Sequence, residues 1–292
     1  MKTQWPSSRE SRLLFFNEIP AWQQDNEHIL SGYRATSGSI RRSLASLLYL
    51  HNQTVNAYSH LIGAAAFLAL PLYFYRYEFS HQSGSHVEDV YVMSIYSFGV
   101  AVCFTLSAIF HIMCNHSPSF ASLGNKLDYI GILILMWAAS IPTIYYGFLC
   151  SPALRIVYWI LMTGMAICCA IFTLSPPFAS PQFRHWRACF YAGFGLSSMI
   201  FIVHAVVIYG WELQKLRMSL SWMSWMAEVN LVGAAVYAAR VPERWSPYRF
   251  DIWGASHQIF HVAVVMAACI HYDGLVEAFH WIRSQDHPCG DI

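Results

Sequence analysis

Residues 90–114 read VYVMSIYSFGVAVCFTLSAIFHIMC, a run without one Asp, Glu, Lys or Arg. At 1.5 Å of rise per residue, a helix of about 20 apolar residues crosses the hydrocarbon of a bilayer. A soluble helix this apolar would have no side to show to water. The stretch therefore predicts a transmembrane helix. It carries Ser107 and His111 one turn apart near its end, on one helix face.

Six further apolar runs lie outward from it, at 56–75, 127–148, 153–174, 187–210, 222–239 and 256–276. The run at 222–239 is the weakest, because it is short and holds Glu228 and Asn230. The expectation is an all-α integral membrane protein, a seven-transmembrane helix bundle. Residues 1–50 form an N-terminal segment, 51–276 the seven-span domain and 277–292 a short tail. Composition agrees: 11% of residues are charged, against about 25% in a typical soluble domain. The aromatic share of 16% fits Trp and Tyr at membrane interfaces. A net charge of +1 without a Lys/Arg cluster excludes a nucleic-acid partner.

The first 50 residues contain no signal peptide, so the first span directs insertion. Ile40 to Leu50 places apolar residues at helical spacing beside Arg41 and Arg42. It reads as a short interfacial helix or as a disordered tail with one amphipathic turn. The eight cysteines include no CxxC pair, and most lie in apolar runs. They read as small buried hydrophobes rather than a disulfide framework.

Lys and Arg set the orientation. Of the 17, 12 fall on the side of the N-terminus and 5 on the other. The N-terminus is then cytoplasmic and the C-terminus extracellular or lumenal. The sequons at Asn52 and Asn115 fall on the cytoplasmic side and are expected to stay unmodified.

Ionisable residues inside a span are costly and mark function by default. In a seven-span bundle, even helices end and odd helices begin on the cytoplasmic side. This parity gathers His111 at the end of the second span, Asp128 at the start of the third, and His257 and His261 at the start of the seventh. His60, early in the first span, joins them. His257 and His261 are four residues apart and share a face. Three neutral imidazoles plus water make a zinc site of catalytic type. His111, His257 and His261 are the expected ligands. Asp128 would hold the water and accept its proton, and Ser107 would donate nearby. Zinc lowers the pKa of such a water towards ~7. The pair alone also fits a hydrogen-bonded couple or a helix-end feature. Position 258 is Gln, so this is not the metalloprotease HExxH. His60 reads as packing or capping, and His116, His204 and His271 as structural. Glu228 would face the interior or a cavity.

At these residues the chain resembles the progestin and adipoQ receptor family, related to the haemolysin-III proteins. The nearest likeness is to the adiponectin-receptor branch, which has fungal members. Four segments carry it. They are His51-Asn-Gln-Thr-Val-Asn-Ala-Tyr-Ser-His-Leu-Ile-Gly63, Ser107-Ala-Ile-Phe-His111 with His116-Ser117, Lys126-Leu-Asp-Tyr-Ile-Gly-Ile132, and Tyr237 through Ser256-His-Gln-Ile-Phe-His261. They cover about residues 50–275. The resemblance implies a seven-helix fold with its N-terminus inside, and zinc on His111, His257 and His261. It also implies Asp128 at the zinc-bound water and Ser107 beside it. Gln53 stands where many relatives carry Glu.

Members of that family act as receptors, and some are similar to alkaline ceramidases. Two functions follow from the resemblance. One is a receptor in lipid, sterol and metal homeostasis that hydrolyses a lipid amide such as ceramide through zinc. The other is a pure receptor with a structural zinc. Membrane lipids, with ceramide or another lipid ligand, are expected partners, as is an extracellular protein or sterol. The membrane is the plasma membrane or an endomembrane. A channel is disfavoured, because no line of polar residues crosses the spans.

Overall fold

The computed structural model describes residues 12–175 and 184–289. The linker prolines Pro176, Pro177 and Pro181, the tail residues Lys2 and Arg9, and the side chain of Cys189 lie outside the described residues. The described chain is helical. Its α-helices are α1 Ile40–Ala45, α2 Thr54–Tyr73, α3 Val87–Met113, α4 Pro118–Gly147, α5 Pro152–Leu174, α6 Arg184–Tyr209, α7 Trp211–Arg217, α8 Leu220–Ala239 and α9 Ser256–Arg283. One isolated antiparallel bridge joins Leu14 and Tyr33.

Among the described residues, six helices are long and apolar enough to cross a membrane. They are Thr54–His81, Val87–Met113, Pro118–Gly147, Pro152–Leu174, Phe190–Tyr209 and Ser256–Arg283. Large aliphatic side chains on them face outward, as Ile62 (67%), Ile160 (65%) and Val207 (75%) do. A soluble protein does not leave so many such residues in water, so the chain is a multi-pass integral membrane protein. The run at 222–239 does form a helix, α8, but Glu228 and Asn230 hold it below the apolarity of the six. Glu228 is exposed rather than inward. Trp222 and Gly233 pack on one face of α8, and Glu228 falls about a third of a turn away from them.

Two boundaries differ from the sequence expectation. α4 begins at Pro118, not 127, which sets Asp128 nearly three turns inside the helix rather than at its start. Proline is favoured in the first helical turn, and the Ser117 hydroxyl accepts the Phe120 N–H at 3.4 Å. α9 continues to Arg283, past the expected 276.

The chain divides into two compact units. The first holds Met1–Ile62, Thr105–Asp128 and Val229–Val265. Ile19, Ile29 and Tyr33 bury against Ala255. The buried Asp251 carboxylate accepts from Leu30 N–H at 3.2 Å and Ser31 Oγ at 2.6 Å. Gly32 has φ +82°, and an added Cβ would lie 2.5 Å from Ile252 Cδ1. Only glycine takes both that turn and that closeness. α1 and the following 3-10 turn Ser46–Leu48 bury Ser43 and Ser46 and expose Ile40, Leu44 and Leu48. The helix expected there is present, and it exposes an apolar stripe. Asn52 and Asn115 are buried, so both sequon side chains are shielded.

The second unit holds Gly63–Phe104, Tyr129–Glu228 and Met266–Ile292. Its aromatic and aliphatic core includes Leu133, Phe148, Met162, Phe194 and Phe201. Arg283 grips Asp89 in a bidentate pair at 2.9 and 2.9 Å, with both groups buried. Tyr96 donates to the Ala268 carbonyl at 2.7 Å. Cys150 and Cys289 form a disulfide across 139 residues. This corrects the reading of all cysteines as buried thiols. Cys150 ends an apolar run and Cys289 lies beyond the last one, so neither is a core position.

Candidate metal centre

The three expected histidines converge, all within the first unit. His257 and His261 lie in the first two turns of α9, and His111 is in the last turn of α3. His257 Nε2 lies 3.4 Å from His111 Nε2 and 3.1 Å from His261 Nε2. The ligand atoms of all three fall within 4.8 Å of one another. Tetrahedral zinc with Zn–N near 2.05 Å separates its nitrogens by about 3.3 Å. Neutral imidazoles bring one N–H and one lone pair each, so three nitrogens crowded together leave lone pairs facing a common point. The donor set therefore fits a zinc ion.

His111 is held from the far side of its ring. Its Nδ1 lies 2.7 Å from Gln53 Oε1, and that oxygen also accepts from Asn56 Nδ2 at 2.8 Å. An amide oxygen only accepts, so Nδ1 carries the proton and Nε2 turns its lone pair inward. Gln53 is placed by the turn that opens α2. There Thr54 Oγ1 accepts the His51 N–H at 2.9 Å, and His51 Nδ1 accepts the Gln53 N–H at 3.0 Å. Burial, helped by the Arg34 charge, pushes the His51 imidazole down to about 3, so it remains a neutral acceptor. His60 stacks on His261 with ring centroids 4.0 Å apart, the packing role expected of it.

The helix ends that carry the histidines are both capped by charge. The Arg34 guanidinium donates to the carbonyls of His111 at 2.6 Å and Ile112 at 2.8 Å, the negative end of α3. The Glu243 carboxylate accepts from Ser256 N–H at 2.8 Å and from the Ser256 hydroxyl, the positive end of α9. Asn26 Nδ2 donates to the same carboxylate at 3.1 Å. Sequence reading assigned Arg34, Glu243 and Asp251 no site role, although Glu243 and Asp251 lie within the fourth segment of the family likeness, because nothing in their spacing marks a contact.

Ser107 and Asp128 are brought together: their side chains are hydrogen-bonded. Asp128 is not one of the groups within the 4.8 Å histidine set. Gln258, between the two histidines, accepts from Gly254 N–H at 2.7 Å and donates to the Ile252 carbonyl at 2.9 Å. It braces the loop before α9. The three histidines read as structural from the sequence have protein partners: His204 Nδ1 pairs with Tyr158 OH at 2.6 Å, His116 Nδ1 with Ser117 Oγ at 3.1 Å, and His271 lies against the Ala139 carbonyl at 3.4 Å.

Residues 48–272, which contain the three histidines, Gln53, Ser107 and Asp128, match the family model described as Haemolysin-III related. The chain belongs to the haemolysin-III related family. It is 36% identical over 272 residues to the ADIPOR-like receptor IZH2 of Saccharomyces cerevisiae, covering 93% of this chain and 86% of that protein. It is 36% identical over 267 residues to the adiponectin receptor protein of Drosophila melanogaster, covering 91% of this chain and 59% of that one. The chain thus spans less than two thirds of the fly protein's length. Heptahelical transmembrane protein 1 of Arabidopsis thaliana is 33% identical over 292 residues, with 97% and 85% covered. The family resemblance read from the four motifs is borne out, with fungal proteins among the relatives.

Proposed function

We propose that this adiponectin-receptor-like membrane protein binds zinc through His111, His257 and His261 and hydrolyses a lipid amide of the ceramide class. The observation that carries the proposal is the convergence of the three imidazoles, with His257 Nε2 3.4 Å from His111 Nε2 and 3.1 Å from His261 Nε2, and His111 locked in tautomer by Gln53. When bound, zinc supplies Lewis acidity towards a carbonyl and towards water. The Asp128 carboxylate takes a proton from water and passes it to the leaving amine. Ser107, bonded to Asp128, fixes the carboxylate's orientation.

The proposed topology has seven spans, α8 included, with the N-terminus in the cytoplasm. Two observations support it: the excess of Lys and Arg on the N-terminal side, and the Cys150–Cys289 disulfide. Disulfides persist in oxidising compartments, and Cys150 and Cys289 both belong to the C-terminal side of this topology.

Metal analysis and ceramide turnover of purified protein test the proposal together with Asp128→Asn. The expected result is zinc retained and hydrolysis lost. A zinc-loaded protein that releases no fatty acid over long incubation removes the hydrolase. What is then left is a receptor with a structural zinc, which the separation of Asp128 from the histidine set also fits.

A further inference from the structure

We infer that Arg34 is a positioning residue for the metal centre, and that the N-terminal segment acts through it as a strap on His111. The inference rests on the zinc reading above. Arg34 lies outside every motif that carries the family likeness, and 77 residues from the ligand it touches.

Arg34 is 4% exposed. Its guanidinium makes four contacts: His111 O at 2.6 Å, Ile112 O at 2.8 Å, Ser46 Oγ at 2.7 Å and Cys114 Sγ at 3.1 Å. The last carbonyls of a helix have no partner inside it. A planar fork of donors satisfies two neighbouring ones at once in a fixed geometry, which the rotatable donors of an ammonium do not impose. Arg34 thereby fixes the peptide of His111, while Gln53 fixes its ring. A ligand held at both peptide and ring has little rotation left, and its Nε2 stays aimed at the other two histidines.

Arg34 is itself anchored. Three residues earlier Ser31 is tied to Asp251, and Asn26 is tied to Glu243 on the loop that leads into α9. One segment, residues 26–34, therefore fastens the ends of both helices that carry ligands. Pulling it away would free His111 of α3 and unseat the cap before His257 of α9. Loosening the strap from the cytoplasmic side would be read out at the metal.

The test uses full-length protein in detergent, with Arg34→Met and Arg34→Lys. Readouts are zinc release to a chelator and the ligand-field bands of the cobalt-substituted form. Tyr96→Phe, which removes one buried hydrogen bond in the other unit, serves as the stability control. The expected result is about tenfold weaker zinc retention and shifted bands for Arg34→Met. Arg34→Lys should fall between it and the parent, and the control should leave the bands unmoved. Parental release and parental bands in both Arg34 variants overturn the inference while leaving the zinc site standing. If Arg34→Met does not fold, Arg34→Lys alone decides by the same criterion. Bands shifted equally by Tyr96→Phe reduce the effect to general stability and also overturn it. Parent protein without zinc overturns both the site and the strap.

Discussion

Gln53 Oε1 lies 2.7 Å from His111 Nδ1 and fixes the ring of the one histidine of the three that α9 does not supply. Partners of this kind raise ligand basicity and fix the ring, and losing one typically costs 10–100-fold in metal affinity. Gln53→Leu should therefore lower zinc affinity by about tenfold or more. Gln53→Glu keeps an acceptor at the same place and should retain the metal. Competition with a zinc chelator measures both. Equal affinity in the Leu variant would falsify the orienting role.

His257→Ala combined with His261→Ala leaves one imidazole where three stood. Zinc stoichiometry in the purified double variant should fall to background. Full retention of zinc by that variant would rule out the site.

The buried Asp89–Arg283 pair belongs to the second unit and lies outside the histidine site. Removing one partner strands a charge in a low-dielectric interior, at a cost of about 3–5 kcal/mol. Asp89→Ala should lower the detergent melting temperature severely. A melting temperature within error of the parent would show that the pair contributes nothing net.

His51 gives the stability a sign with pH. Its imidazole ionises near 3 in the fold, because it is buried, and near 6.5 in an unfolded chain. Between those values the unfolded chain binds the extra proton. Stability is then complete above about pH 6.5 and falls as the pH drops towards 3, by at most about 1.4 kcal/mol per pH unit. His51→Asn should flatten that acid slope in denaturation curves collected from pH 7 to 4. An unchanged slope would mean that His51 is solvated.

The Cys150–Cys289 bond closes a loop of 139 residues, so cutting it should cost up to about 4–5 kcal/mol on the chain-entropy view. Cys289→Ser should lower the melting temperature. After reduction of intact cells or vesicles, a membrane-impermeant thiol reagent should label Cys289 from the exterior or lumenal face. Labelling only from the cytoplasmic face reverses the topology.

Much of this was legible in the sequence, for a physical reason. His257 and His261 sit at a spacing that one helix turn brings together, and alternation of spans puts His111 at the same end. Hydropathy and periodicity act locally, and those residues answer to both. Asp128 was expected at a helix start and lies nearly three turns inside α4, because α4 starts at Pro118 in a polar stretch that hydropathy does not register. Gln53 stood out by residue type, yet its contact with His111 needed the fold of the turn at His51. Arg34, Glu243 and Asp251 satisfy helix ends and backbone groups from far along the chain. Such caps have no period. The Cys150–Cys289 pairing likewise joins two positions whose separation carries no signal.

The order in which the centre is made follows from its contacts. Gln53 and His111 are synthesised early, and His257 follows His111 by 146 residues. Asn26 and Leu30 wait still longer, for Glu243 and Asp251, 217 and 221 residues away. Until Glu243 and Asp251 leave the ribosome, residues 26–31 lack these anchors, and the three histidines are complete only when the start of α9 follows. On the zinc reading proposed above, metal loading is therefore a late event in biogenesis, and a chain truncated before α9 keeps the anchors of residues 26–34 but lacks His257 and His261.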